Sequence, residues 1–337
     1  MEKKKIKWYL LLAIGLFLFV LYFSLKDNYI EIINTLAKVN VLYLIIGIIL
    51  VFLSKYFVGL ILYHLSLKEK KNVNFIKMMQ ISVIYSFFAG ITPGAVGGES
   101  FELFYLKDSG MSYGKASNVM MQKFILYEIS LVLVNLLAVI LNLFTDIVPK
   151  SSLVNTAITI NFAVNVSFLV FLFFVTYNKK FNHFIMNHGL SFLNKIRIVK
   201  DLDKTKKSLD EYLDNFDDGV DKLRKDKKLL VKLTIYSIIS FVLFLLAACP
   251  VAWALDIKSI SIINLFILIT YARMMCLLIV TPGNSGGAEY SFIYMFTGLL
   301  GEEDIMAYML IWRFVTYYIP LIAGGVFAIM WGKEKRK

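Results

Sequence analysis

The sequence predicts an all-α polytopic membrane protein, with about six full transmembrane helices and two re-entrant broken hairpins in inverted repeats. Three observations lead there. Hydrophobic residues fill 58% of the 337 positions and charged residues only 18%, where a soluble domain has about 45–50% and about 25%. With a mean hydropathy of +0.69, a single soluble globule and a disordered chain are both excluded. Six apolar runs are long enough to cross a bilayer, which takes about 20 helical residues. Two further runs are each broken in the middle by a Thr-Pro-Gly and Gly-Gly signature.

In chain order, the run 6–25 is too long for a removed signal peptide and lacks its small-residue cleavage site. The run 41–67 precedes the first broken stretch, 75–106, and the runs 119–144 and 153–177 follow it. The segment 178–228 is polar. Within it, Leu209, Leu213, Phe216, Val220 and Leu223 recur at spacings of 4 and 3 among charges, which predicts an amphipathic helix. A second apolar-faced, basic-flanked stretch covers 181–199. Such helices lie on the inner leaflet or pack under a bundle; the alternative is a docking site for a cytoplasmic partner. The segment is too short for an ordinary enzyme domain. The run 229–255, the second broken stretch 260–300 and the run 305–331 complete the order.

The net charge of +12 follows topology. Basic residues crowd the N-terminus, the C-terminus, the segment 178–228 and the positions Lys68, Lys70, Lys71 and Lys77. The opposite loops hold only Lys26, Lys38, Lys150 and Lys258, with an acidic run at Glu302, Glu303 and Asp304. Positive charge stays inside, so both termini are expected in the cytoplasm of a cell-membrane protein. The two broken stretches then enter and leave on one side each. The expected charge partner is anionic lipid, not nucleic acid.

The broken stretches repeat one another. Thr92-Pro93-Gly94 matches Thr281-Pro282-Gly283, and Gly97-Gly98 matches Gly286-Gly287. After one inserted residue Glu99 aligns with Glu289, Lys123 with Arg313 and Tyr127 with Tyr317. The repeat units are about 75–144 and 260–331. Their predicted topologies are opposite, an arrangement recurrent in transporters. Pro93, Gly94, Pro282 and Gly283 are the expected structural turns. Pro ends a helical ladder and Gly permits a sharp bend. Irregular backbone at this depth is tolerated only inside protein or beside a wet cavity. The half-helix beginning near Gly98 or Gly287 would offer free N–H groups to an anion.

Charges at membrane depth each cost about 2.5–3.5 kcal/mol on insertion scales, so each needs a reason. Lys123 and Arg313 are either interfacial anchors or a pair of phosphate ligands, one per side. Glu99 and Glu289 either satisfy helix N-termini, act as counter-charges to those bases, or receive a cationic headgroup. Tyr127 and Tyr317 complete the candidate substrate-binding set with Gly97, Gly98, Gly286 and Gly287. Glu128 is a candidate neutraliser of Lys55, and Arg273 lies eight residues before Thr281. His64, His183 and His188 lack metal-ligand spacing, and Cys249 and Cys276 lie in apolar runs. Neither a metal nor a cofactor is expected. No Walker A, GxSxG or HExxH motif is present, so no catalytic residue is assigned.

On the residues Pro93-Gly94-Ala95-Val96-Gly97-Gly98-Glu99, Gln122-Lys123, Thr281-Pro282-Gly283-Asn284-Ser285-Gly286-Gly287-Ala288-Glu289 and Arg313, the chain resembles the lysylphosphatidylglycerol synthase transmembrane (flippase-like) family. That family includes the membrane half of the bacterial multiple peptide resistance factor. The pattern covers nearly the whole chain, although the family often has Glu-Arg where this chain has Gln122-Lys123. The resemblance implies a flippase that moves a phospholipid, anionic or aminoacylated like lysyl-phosphatidylglycerol, between leaflets, with a role in antimicrobial peptide resistance. It implies a membrane unit without the soluble aminoacyl-transfer domain, hence not an enzyme, although a phosphatidylglycerol lysyltransferase label attaches to such chains through their membrane part. Alternatives are the membrane component of a lipid-modifying system, an ion-coupled small-solute transporter, and assembly with a second copy of the chain.

Overall fold

A computed structural model describes residues 39–195, 202–276, 281 and 283–334. The run 6–25, Pro282 and the last three residues lie outside the described residues, and so does part of the stretch 181–199. The described elements are α1 (Val41–Glu69), α2 (Phe75–Ile91), α3 (Val96–Asp108), α4 (Tyr113–Thr145), α5 (Ser152–Tyr177), α6 (Lys179–Lys195), α7 (Leu202–Arg224), α8 (Lys227–Leu246), α9 (Ala248–Ala254), α10 (Ile262–Cys276), α11 (Gly287–Phe296), α12 (Glu302–Arg313), a π-helical turn (Phe314–Tyr318) and α13 (Ile319–Glu334). The protein is thus an all-α, multi-pass membrane protein. Five helices among the described residues are long and apolar enough to cross a bilayer: Val41–Glu69, Tyr113–Thr145, Ser152–Tyr177, Lys227–Ala254 and Glu302–Gly332. Each contains one of the predicted runs or most of it. The two broken stretches become the shorter helices α2 and α10, each followed by a second arm.

Side-chain caps set the starts. Asn40 Oδ1 accepts from Leu42 N at 3.1 Å, Ser151 Oγ from Val154 N at 3.2 Å and Asp226 Oδ1 from Leu229 N at 3.0 Å, each satisfying an orphan amide of a first turn. Ser112 caps α4, so that helix starts at Tyr113, before its apolar run begins. Lys123 and Arg313 consequently lie about three turns into their helices, deeper than a first-turn snorkelling position. The run 229–255 also differs from expectation: α8 ends at Leu246 and α9 begins at Ala248. Pro250 sits in the first turn of α9, where its missing N–H costs nothing.

Small and polar residues fix the helix contacts, as expected where burial in lipid gives no hydrophobic drive. Ser240 Oγ donates to the Ser54 carbonyl at 3.0 Å and joins α8 to α1. Asn135 Nδ2 donates to Asn161 Oδ1, and Asn161 Nδ2 to the Met274 carbonyl, linking α4, α5 and α10. Helix α13 lies along α2, and Gly324 is the closest approach. A Cβ there would stand 2.5 Å from the Val83 carbonyl oxygen and 3.0 Å from Phe87 Cβ. Gly324→Ala is therefore expected to push α13 off α2 and cost about 1–2 kcal/mol, within the usual overpacking range. Thermal unfolding of the purified protein measures it, and an unchanged midpoint would contradict this tight crossing.

Helix α7 carries the predicted amphipathic pattern. Its Leu213, Phe216, Val220 and Leu223 are buried, and α4 packs against it through Gly114, whose Cβ would meet the Tyr212 carbonyl oxygen. Helices α6 and α7 are joined by Lys179 Nζ–Asp221 Oδ2 at 2.7 Å. That hydrogen bond holds the Asp221 carboxyl below its usual range and the Lys179 ammonium above its own.

Candidate functional site

The first break is built from its own backbone. Helix α2 stops at Ile91, Pro93 follows Thr92, and Gly94 and Ala95 are both left-handed at φ 61°. An alanine in that region costs about 1–2 kcal/mol, held here by its surroundings. Thr92 Oγ1 donates to the Phe88 carbonyl at 2.7 Å and accepts from Gly97 N at 2.9 Å. Gly97 and Gly98 start α3 hard against α2: Cβ atoms there would collide with Thr92 and with the Tyr85 ring.

Two carboxylates line the next turns of α3. Glu99 Oε1 accepts from Tyr85 OH at 2.6 Å. Glu102, one turn on, is fully buried and pairs with Lys123 Nζ of α4 at 2.7 Å. The same ammonium lies 4.4 Å from the centre of the Tyr85 ring, a cation–π contact. Gln122 faces elsewhere and accepts from Tyr177 OH at 2.9 Å.

The described residues of the second break repeat the left-handed pair of the first. Gly283 and Asn284 are left-handed at φ 61° and 51°, in register with Gly94 and Ala95. Thr281 Oγ1 donates to the Ser285 carbonyl at 2.7 Å. Glu289 Oε2 accepts from Gly286 N at 2.6 Å, the carboxylate half of a capping box. Arg313 Nε meets Glu289 Oε1 at 2.9 Å. Its Nη1 and Nη2 donate to the Gly283 carbonyl at 3.1 Å, and Nη2 to Ser285 Oγ at 3.2 Å. The guanidinium also stacks 4.4 Å from the Tyr317 ring centre. The π-helical turn follows Arg313 directly, a feature frequent at functional sites.

The two hairpins interlock. Span α4 packs on α10, the first arm of the second hairpin, and α13 packs on α2, the first arm of the first. The tyrosines follow suit. Tyr317 OH donates to the Gly90 carbonyl of α2 at 3.1 Å, while a Cβ on Gly283 would strike the same phenol. Tyr317 therefore touches both breaks. Tyr127 lies beside Arg273 of α10 and packs edge-on against Phe241.

Several expected partnerships differ. Glu99 is not the counter-charge of Lys123; Glu102 is, because α4 meets α3 one turn further along and Tyr85 already occupies Glu99. Glu289 does pair with Arg313. Glu128 makes no ion pair with Lys55, and its buried Oε2 has no hydrogen-bond partner. Three amides at the half-helix ends are already engaged in this conformation. Gly286 N is taken by Glu289, Gly97 N by Thr92 and Gly98 N by the Ala95 carbonyl. Glu102 and Tyr85 were not anticipated as site residues. Glu102 stands three residues after Glu99 on a helix, and that spacing placed it on the same face.

Among the described residues no group of three or more His, Cys, Asp or Glu side chains is placed to hold a metal ion. The family model described as "Lysylphosphatidylglycerol synthase TM region" matches residues 10–324. The chain is similar to a protein of Archaeoglobus fulgidus described as a UPF0104 membrane protein. The two are 22% identical over 270 residues, which cover 75% of this chain and 76% of that relative.

Proposed function

The chain belongs to the lysylphosphatidylglycerol synthase transmembrane family, and on that premise we propose that it is a lipid translocase of the cell membrane. It moves a phospholipid with an anionic or aminoacylated headgroup between leaflets and catalyses no synthesis. The units 75–144 and 260–331 are inverted copies, and both termini face the cytoplasm. The headgroup phosphate passes between Lys123 and Arg313 while the tails stay in lipid.

One observation carries this reading. Two breaks of the same left-handed backbone, at Gly94–Ala95 and Gly283–Asn284, each have one buried base nearby, and each hairpin packs on the span of the other copy. The two bases also have unlike partners. Arg313 holds its own turn through Glu289 and Gly283, whereas Lys123 pairs with Glu102, whose counterpart in the second copy is Phe292.

A charge-assisted hydrogen bond to phosphate contributes about 1.5–3 kcal/mol net, or roughly 10- to 100-fold in affinity. Native mass spectrometry of the full chain, titrated with phosphatidylglycerol, is expected to show binding weakened by that factor in Lys123→Ala and in Arg313→Ala. Glu99→Gln is expected to weaken an aminoacylated lipid and spare phosphatidylglycerol. Undiminished lipid binding by both base variants would remove the two bases from the headgroup path.

A further inference from the structure

Among the described residues, two cations within the apolar helices, Lys55 and Arg273, make no ion pair. Lys55 is the midpoint of the 29-residue α1, too deep to snorkel to either surface. Its carbonyl accepts from Ser82 Oγ at 2.9 Å, which ties that level of α1 to α2. Its half-buried side chain makes no hydrogen bond or ion pair; its neighbour Ser54 meets Ser240 of α8 at 3.1 Å, one residue from the Phe241 ring over which Arg273 lies, and Lys123, Arg273 and Glu102 are the charges that act on it. Arg273 is the second cation. Its guanidinium lies 5.2 Å and 5.0 Å from the ring centres of Phe241 and Phe244, beside Tyr127, and it pairs with no carboxylate. Stacking on aromatic faces uses the plane of the guanidinium; one in-plane donor is turned to the Tyr127 hydroxyl, and the rest of the fork is left for a ligand.

The available carboxylates do not balance them. Glu102 is committed to Lys123 at 2.7 Å. Glu99 accepts from Tyr85, and Glu128 reaches no cation within an ion-pair distance. Three positive groups brought together in a low-dielectric interior repel one another strongly. An anion with several oxygens, approached from two elements by an ammonium and a fork of guanidinium donors, would balance them.

We infer that Lys55 of α1 and Arg273 of α10, with the Lys123–Glu102 pair beside them, form a binding site for a phosphate-type anion, such as the phosphodiester of a lipid headgroup. That the anion belongs to a lipid rests on the proposed translocation; the site itself does not. Arg273 also stands next to the second hairpin's machinery, since Cys276, at the end of the same helix, lies within reach of the charges of Arg273, Arg313 and Glu289.

The test uses the full chain in detergent and reads thermal stabilisation. The ligands are short-chain phosphatidylglycerol, short-chain diacylglycerol without phosphate, and inorganic phosphate. Phosphatidylglycerol is expected to stabilise the wild type and diacylglycerol to do little. Arg273→Gln is expected to raise the phosphatidylglycerol concentration needed by about 10- to 100-fold, the weight of one charge-assisted contact. Lys55→Met is expected to lose the response by a similar factor, yet to be more stable than the wild type without ligand, because an unpaired charge leaves the membrane interior. A merely structural Lys55 would give the reverse. Lys55→Arg is expected to retain most of the response. Equal stabilisation by inorganic phosphate would keep the anion site and remove the lipid reading. A wild-type phosphatidylglycerol response in Lys55→Met and Arg273→Gln would overturn the site.

Discussion

Glu102→Ala is expected to destabilise the protein by about 3–5 kcal/mol, the usual result of breaking a buried ion pair from one side. The Lys123 side chain is 9% exposed and that of Glu102 is 0% exposed. Without the carboxylate, the ammonium retains only the face of Tyr85, which contributes about 0.5–2 kcal/mol. The pair itself is not a large source of stability, because both charges were taken out of water to form it. Replacing both partners, Lys123→Met with Glu102→Leu, should therefore recover most of the loss. Unfolding in mixed micelles followed by circular dichroism measures both variants. A single variant within about 0.5 kcal/mol of the wild type, the range of ordinary surface changes, would mean that water or lipid already screens Lys123.

Arg313→Ala is expected to cost about 2–3 kcal/mol, near the upper range for hydrogen bonds to a charged group, and to open the second break. Arg313 binds the Gly283 carbonyl twice, Ser285 Oγ, and the Glu289 carboxylate that caps α11. Glu289 is 27% exposed on its side chain, so water relieves part of the stranded charge and the loss falls below that at Glu102. Arg313→Lys keeps the charge but not the planar fork; it should hold Glu289 and release Gly283. Hydrogen exchange at 283–287 reads the difference: fast in Arg313→Ala, intermediate in Arg313→Lys, slow in the wild type. Protection unchanged in Arg313→Ala would show that the turn holds itself.

The membrane fold was readable because bilayer thickness imposes helix length on the sequence. The breaks were equally readable, because Thr-Pro-Gly leaves few backbone choices; Gly94–Ala95 and Gly283–Asn284 adopt the same left-handed pair. Register also placed Lys123 and Arg313 about three turns into their helices. Partner choice was not readable. Whether Lys123 meets Glu99 or Glu102 depends on how α3 and α4 are rotated and shifted against each other, which side chains from several helices decide together. Tyr85 shows this directly, since it holds Glu99 from α2. The convergence of Lys55 of α1 and Arg273 of α10 was hidden for the same reason, since more than two hundred positions separate them in the chain. The break between α8 and α9 lay inside one continuous apolar run, where hydropathy carries no signal.

Leaflet exchange tests the central claim most directly. Vesicles carrying fluorescent phosphatidylglycerol in both leaflets are treated with an impermeant quencher, with and without the reconstituted full chain. Without protein only the outer leaflet is quenched. With the wild type, the inner-leaflet lipid is expected to become accessible as well. In the Lys123→Met/Glu102→Leu double variant, which removes the base without stranding a buried charge, that second phase is expected to slow by at least about 10-fold, the weight of one charge-assisted phosphate contact. Inner-leaflet protection as complete with the wild type as in empty vesicles would contradict translocation, and wild-type exchange by the double variant would contradict the passage of phosphate between the two bases.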